Sequence, residues 1–435
     1  MLDTSTLVPT PPHASTEGPG EAWRLRYWSI FGGQASSLVG SALTQFVLLW
    51  WITDTTGSVS ALALAGVFAL LPQALFGPLG GTFADRYGRR FLMIASDLVS
   101  ALCMLVLITL FLTERVELWH AYAMMFVRSA MQAFQQPAAA ASAAMLVPRH
   151  FLTRAAGLNQ MLNGIMLVGA APLGALALAF MPIGYALAID VVTALIGIVP
   201  LLIFKVPQKR VDPANRPGIW REFRQGFDTV WLHPGLRRLY GLVAATTLVI
   251  MPSMTLVPLL VKEHFHGGAT EVALLEGLAG AGMVAGGLVA AALQPRRKIV
   301  WVLVSFAMSS FTLALTGLAP GGMLWLGAAF WSLSGLFYIL GSAPMTALIQ
   351  TIVPNELQGR ALSLLSTALA AAGPVGLLLA MPVGEAIGIR WLFVLVGTLS
   401  GFVALLGFLS RPLMSIEDDE TAAGVDASIT RRATP

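Results

Sequence analysis

The chain has 435 residues, of which 56% are hydrophobic and only 11% charged, with a mean hydropathy of +0.76. Soluble domains are far more polar, so the composition excludes an ordinary cytosolic enzyme or binding module. The net charge of +4 and pI near 9.5 do not indicate nucleic-acid binding, which needs a contiguous basic face on a soluble module.

Residues 1–22 are rich in Pro, Thr and Gly and lack a basic region followed by a short apolar core, so they are read as a disordered tail rather than a cleaved signal. Apolar stretches then follow at about 27–52, 60–80, 91–112, 121–146, 155–180 and 184–204. A second set runs at about 239–261, 270–293, 299–318, 323–349, 362–383 and 389–410. Each matches the roughly 20 residues that a helix needs to cross a hydrocarbon core of about 30 Å. The expected fold is therefore an all-α membrane protein with 12 transmembrane helices in two six-helix bundles. The segments are a tail (1–22), an N-terminal bundle (23–204), a connector (205–238), a C-terminal bundle (239–411) and a second tail (412–435).

Lys and Arg in short loops are retained on the cytoplasmic side. Of the 26 Lys and Arg, 22 fall in the tails and even-numbered connectors, whereas Arg115, Lys262 and Arg390 fall in the odd ones. Both termini are thus expected in the cytoplasm and the chain in the inner membrane. Cys103, the single cysteine, lies in an apolar span and offers neither a disulfide nor a thiolate metal site.

Between the second and third spans stands Gly81-Thr82-Phe83-Ala84-Asp85-Arg86-Tyr87-Gly88-Arg89-Arg90, which reads as a charged connector. In the longest connector Trp220, Phe223, Phe227, Val230 and Trp231 recur at helical spacing, as in an amphipathic helix on a membrane surface. The halves resemble each other at an offset of about 206 residues. Val147-Pro148 and Arg154-Ala155 correspond to Val353-Pro354 and Arg360-Ala361, and Gly80-Gly81 to Gly286-Gly287. In the second copy Arg296-Arg297 remain and the aspartate is lost.

The Gly-x-x-x-Asp-Arg-x-Gly-Arg-Arg run resembles the signature of the major facilitator superfamily, matching at Gly81, Asp85, Arg86, Gly88, Arg89 and Arg90. Within it the chain is most similar to the macrolide-efflux and enterobactin-exporter group. The similarity rests on Thr56-Gly57-Ser58, Leu71-Pro72, Gly77-Pro78, Ser96-Asp97-Leu98, Arg128 with Ala133-Phe134 and Pro137, and Glu222 through Arg238. The resemblance implies a small-molecule substrate and a cavity between two bundles, with span four facing it.

Arg128 is the one cation predicted inside a span, roughly 10 Å from the outer end of span four by helical rise. Gln132, Gln135 and Gln136 follow on the same helix face. By the repeat, Ser334 and Tyr338 are equivalent to Arg128 and Gln132, and Ser342 continues that ladder. These residues are the expected substrate pathway; the alternative is that they hydrogen-bond neighbouring helices and hold the bundle together.

Buried carboxyl groups can alternate between a proton and a cation, which makes Glu276 and Asp190 the candidates for proton coupling. Either is also a candidate partner for Arg128. Asp97, near Arg86 and Arg89, is grouped with the charged connector as part of an inner gate. Gly164, Gly169, Pro172 and Gly174 resemble the glycine-proline motif of superfamily antiporters, although the adjacent Gly-Pro is here interrupted.

His264 and His266 do not amount to a metal site, and no Walker A run or serine elbow occurs. The chain is therefore expected to be no enzyme and to need no cofactor, with a proton gradient as its energy source. Its expected partners are a small-molecule substrate and the lipid bilayer, without nucleic acid or nucleotide, and it is expected to act as a monomer. The expected function is export of an amphipathic molecule such as a macrolide, another drug or a siderophore by proton antiport. An importer or uncoupled facilitator is the alternative, and a non-transporting membrane sensor or scaffold the second.

Overall fold

A computed structural model describes residues 22–206 and 227–417, apart from 229, 294, 296 and 354. The described residues form twelve long helices. The first six are α1 (Trp23–Thr56), α2 (Val59–Tyr87), α3 (Arg89–Leu112), α4 (Leu118–Leu146), α5 (Leu152–Phe180) and α6 (Ile183–Ile203). The second six are α7 (Pro234–Glu263), α8 (Ala269–Ala292), α9 (Lys298–Leu318), α10 (Leu324–Ile352), α11 (Asn355–Ile387) and α12 (Ile389–Leu406). Ten of them are long and apolar enough to cross a membrane, and α5 makes eleven if its two arms count as one span. The remaining long helix is α4, which carries Arg128 and three glutamines.

Helices satisfy their own backbone groups, which is the condition for placing a chain in hydrocarbon. Their ends are closed locally. Ser58 caps α2 by accepting from the Ala61 amide, and Gly57 takes a left-handed conformation to close α1. The charged run from Gly81 to Arg90 is less of a loop than its polarity suggests: α2 continues through Asp85 and Arg86, and Gly88 alone breaks the helix. Its φ of 92° is a conformation that a side chain would strain. Hydropathy marks the edge of the bilayer core, whereas the helix persists past it.

Within the first half, α1 packs on α5 and α6, α2 and α3 pack on α4, and α3 packs on α6. The second half repeats this pattern with α7 on α11 and α12, α8 and α9 on α10, and α9 on α12. The halves meet through two seams, α2 with α11 and α5 with α8, which exchange under the same pseudo-two-fold relation. Gly80 and Gly286, equivalent in the repeat, do the same work in each half. A Cβ on Gly80 would strike the Ala133 carbonyl of α4, and one on Gly286 the Leu336 carbonyl of α10. Gly80→Val and Gly286→Val are each expected to destabilise the folded protein by about 1–3 kcal/mol, because backbone cannot yield as a flexible side chain would. A lower thermal midpoint in detergent checks this; an unchanged midpoint would mean that the helices are not held this closely.

The buried side chains show which end is shut. One apolar core runs through both halves at the end away from the chain termini, joining Leu43–Ile52 of α1 and Leu62 of α2 to Leu256–Val261 of α7 and Leu377 of α11. At the termini end the core is split. One cluster, including Tyr27, Met93 and Leu201, belongs to the first half, and another, including Leu239, Leu303 and Leu348, to the second. The protein is thus sealed at the far end and parted at the termini end. Exposed residues such as Leu102, Val106, Leu195 and Phe402 lie on α3, α6 and α12 and form a surface suited to lipid.

The C-terminal tail begins later than residue 412. A short helix α13 (Arg411–Met414) folds back so that Leu413 and Ile416 are buried, and Glu417 accepts a hydrogen bond from the Ile299 amide at the start of α9 (2.9 Å). Most of the predicted amphipathic connector helix, Trp220 and Phe223 included, lies outside the described residues. Phe227 and Trp231 do stack at 5.0 Å, as residues one helical turn apart should.

Candidate functional site

A cavity of about 420 Å³ lies in the wall of the first half, toward the termini end. Helix α1 presents Gln34, Ser37 and Ser41 to it, spaced by three and four residues so that they share one face. Helix α4 contributes Gln132, Gln135 and Gln136, the stripe expected from the sequence. The third wall, from α5, was not expected: Asn159, Gln160 and Asn163. Seven carboxamides therefore surround one space, and none of the described residues lining it carries a formal charge. Carboxamides both donate and accept, so the wall suits a guest rich in hydroxyl, ether and carbonyl oxygens. Leu38, Leu146, Leu162 and the rings of Tyr27 and Phe31 supply apolar surface.

Two carboxyl groups stand one hydrogen bond behind this wall. Asp190 on α6 accepts from the Ser41 hydroxyl (3.3 Å) and pairs with Arg128 on α4 at 3.5 Å. The paired side chains are only 7% and 8% exposed. Arg128 is thus turned into the first bundle and does not line this cavity, unlike the three glutamines expected to share its helix face. Asp190, from the same half, is its partner, and Glu276 is not. Asp97 on α3 is the second carboxyl group, 5% exposed. Gln135 donates to its Oδ1 (2.5 Å) and Gln34 to its Oδ2 (3.4 Å). Among the described residues no hydrogen bond or ion pair joins Asp97 to Arg86 or Arg89, and the residue stands behind the cavity wall on Gln34 and Gln135.

The arginines of that run hold the first half together. Arg89 donates to the Ala141 carbonyl of α4 (3.0 Å), and Arg90 donates to the carbonyls of Leu201 and Leu202 at the end of α6. Arg86 is exposed, with its guanidinium 5.7 Å from the centre of the Tyr87 ring. The surroundings of Gly81 and the side chain of Asp85 lie outside the described residues.

The ladder on α10 behaves differently from its counterpart on α4. Ser334 is buried and exchanges hydrogen bonds with Ser309 of α9, at 2.8 Å to each carbonyl, so it packs the second half instead of lining the cavity. It repeats the role of Arg128 in neutral form, joining helices of one bundle. Tyr338 is exposed with its ring 5.9 Å from Phe306, and Ser342 bonds weakly to its own helix (3.4 Å). Neither reaches the carboxamide cavity.

Glu276 is half-buried on α8 and, among the described residues, has no hydrogen bond or ion pair. Its helix neighbours Gly277 and Gly280 lie against Pro172 and Val168 of α5, which puts Glu276 at a seam between the halves. Helix α5 bends by 46° there, between Met166 and Val168. Gly164 and Gly169 flank the bend with open space around them, while Gly174 packs on Phe46. Glycines beside a bend are a usual cause of kinking.

At the far end, three charged residues tie the halves together. Lys262 at the end of α7 pairs with Asp54 (3.1 Å) and donates to the carbonyls of Thr53 (3.2 Å) and Asp54 (2.6 Å). Glu385 of α11 accepts from the Ser58 hydroxyl (3.0 Å) and the Ser60 amide (2.9 Å) at the start of α2. The sequence marked Ser58 as part of a resemblance but gave no sign of Glu385.

The family model of the Major Facilitator Superfamily matches this chain over residues 30–376 and 245–431. Macrolide efflux protein A of Streptococcus pyogenes is 30% identical over 387 residues, covering 88% of this chain and 95% of that relative. Multidrug efflux pump Tap of Mycolicibacterium fortuitum is 25% identical, covering 88% of this chain and 94% of the pump. Among solved structures, a bacterial homolog of the human lysosomal transporter Spinster, in an inward-facing and unoccupied conformation, superposes with a TM-score of 0.69 at 15% identity, covering 92% of this chain and 99% of that one. With both halves matched and the twelve-helix arrangement in place, the chain belongs to the Major Facilitator Superfamily of membrane transporters, in the macrolide-efflux group.

Proposed function

We propose that the protein exports an amphipathic small molecule across the cytoplasmic membrane by alternating access, in exchange for protons. The observation that carries this reading is the carboxamide-walled cavity at the parted end of a molecule sealed at the other. The concentration of Lys and Arg at the termini end supports placing that end in the cytoplasm. The cavity then accepts cargo from the cell interior or the inner leaflet. The efflux functions in the names of its relatives support the outward direction. An apolar floor with neutral hydrogen-bonding walls fits a macrolide or similar drug better than a simple ion or a highly charged metabolite. Glu276, unpartnered at the α5–α8 seam, and Asp190, behind Ser41, are the carboxyl groups available to exchange protons during the cycle.

The test uses acidified inside-out vesicles containing the protein and a panel of macrolides, lipophilic dyes and siderophores. Alkalinisation of the lumen that requires both protein and compound is expected. Accumulation of labelled compound without a pH response would replace the proton with another ion, and equilibration without accumulation would make the protein a facilitator.

A further inference from the structure

We propose that Asp97 is a recognition point for a protonated amine on the cargo, reached through the Gln34–Gln135 pair in the cavity wall. The export reading supplies only the choice of probe. Asp97 is 5% exposed and lies in a span, where an ionised carboxylate is costly without a counter-charge. Its partners are two neutral carboxamides, and the Gln34 contact is long at 3.4 Å. A carboxylate offers about four lone-pair sites, so two donors leave it under-satisfied.

Among the described residues, no hydrogen bond or ion pair joins Asp97 to a cation. Arg128 is committed to Asp190, Arg89 reaches toward Ala141, and Arg90 caps the end of α6. The described residues lining the adjoining cavity include no Lys, Arg or His. A carboxyl group thus stands one hydrogen bond behind a wall whose described residues include no positive group. The Tyr27 hydroxyl points the same way, since Tyr27 lines the cavity, is 1% exposed and its oxygen has no partner among the described residues.

These features match one ligand chemistry: a basic amine set among hydroxyl or ether oxygens. The amine would complete Asp97, and the oxygens would engage the carboxamides and Tyr27. Gln135 donates both to Asp97 (2.5 Å) and to Gln34 (3.3 Å), so an amine that reaches Asp97 would take the place of these bonds. A carboxylic acid or phosphate would meet the same carboxylate with like charge and is disfavoured.

The experiment measures binding to the full-length protein in nanodiscs at neutral pH. The probes are a macrolide carrying a dimethylamino sugar and its neutral N-demethyl, N-acetyl derivative. Wild type is expected to favour the amine by about tenfold or more, and Asp97→Asn to abolish that preference while leaving the neutral compound's affinity in place. A merely structural role would weaken both compounds together. The proposal is overturned if wild type shows no preference or binds neither compound, or if the preference survives in folded Asp97→Asn. Should that variant not fold, Ala140→Cys in a Cys103→Ser background reads the site's charge. A cationic methanethiosulfonate should modify it several-fold faster than an anionic one, and equal rates would refute the proposal. Amine selectivity that depends on Asp97, in a protein that exports nothing from vesicles, would keep this site and refute export; export without the selectivity would do the reverse.

Discussion

Asp190→Asn is expected to cost the folded protein about 3–5 kcal/mol and to abolish transport, because it leaves Arg128 as an unpaired cation inside the first bundle. The pair is almost fully shielded, at 7% and 8% side-chain exposure, and among the described residues the Arg128 Nη1 atom has no hydrogen-bond partner to fall back on. Arg128→Gln should be nearly as damaging, since the carboxylate would keep only the Ser41 hydroxyl. The double variant Arg128→Gln, Asp190→Asn should recover most of the stability, because the desolvation of both charges is relieved together. Thermal unfolding of the four proteins in detergent gives the coupling directly. A stable double variant that still fails to transport would separate a proton-handling role for Asp190 from its packing role. Additive losses would show that Arg128 and Asp190 do not act as a pair.

The positions of the twelve helices were legible because a bilayer enforces length and apolarity on each span, and the repeat was legible because glycines at close crossings have no substitute, as at Gly80 and Gly286. What the sequence left open was rotation. Helical spacing put Arg128 on one face with Gln132, Gln135 and Gln136, yet a face wraps far enough for one member to point into the bundle and the others into the cavity. Depth alone made Asp190 and Glu276 equal candidates to pair with Arg128; which bundle each helix belongs to decides for Asp190. Asp97 is near Arg86 and Arg89 in sequence, but two helical turns separate it from Arg89, and its face turns toward α1 and α4. The spacing of Gln34, Ser37 and Ser41 was available as a signal for the α1 wall. Asn159, Gln160 and Asn163 were hidden by their position at the polar start of a span, where such residues usually meet headgroups or water.

Removing the far-end contacts with Lys262→Met and Glu385→Gln together is expected to shift the protein toward a state open at that end by roughly thirtyfold. Both residues belong to the second half and act on helix ends of the first. Lys262 places a cation at the C-terminus of α1, and Glu385 an anion at the N-terminus of α2, each with the sign that the helix dipole favours. Lys262 and Asp54 are 31% and 62% exposed, so water and salt weaken their pairing. Each tie is therefore worth only about 1 kcal/mol. That is the useful range for a gate, since two such ties bias a conformational equilibrium without locking it. The apolar seam beneath them, where Val59 packs on Gly384, cannot open while both hold. Val59→Cys in a Cys103→Ser background reports on this, because Val59 is 5% exposed in the sealed state. Its labelling by a hydrophilic maleimide should accelerate in the double variant, and high salt should produce part of the same increase in the otherwise native protein. An unchanged labelling rate would mean that the apolar seam alone keeps the far end shut. Opening would then have to be driven by cargo or proton binding at the other end, with no electrostatic latch to release.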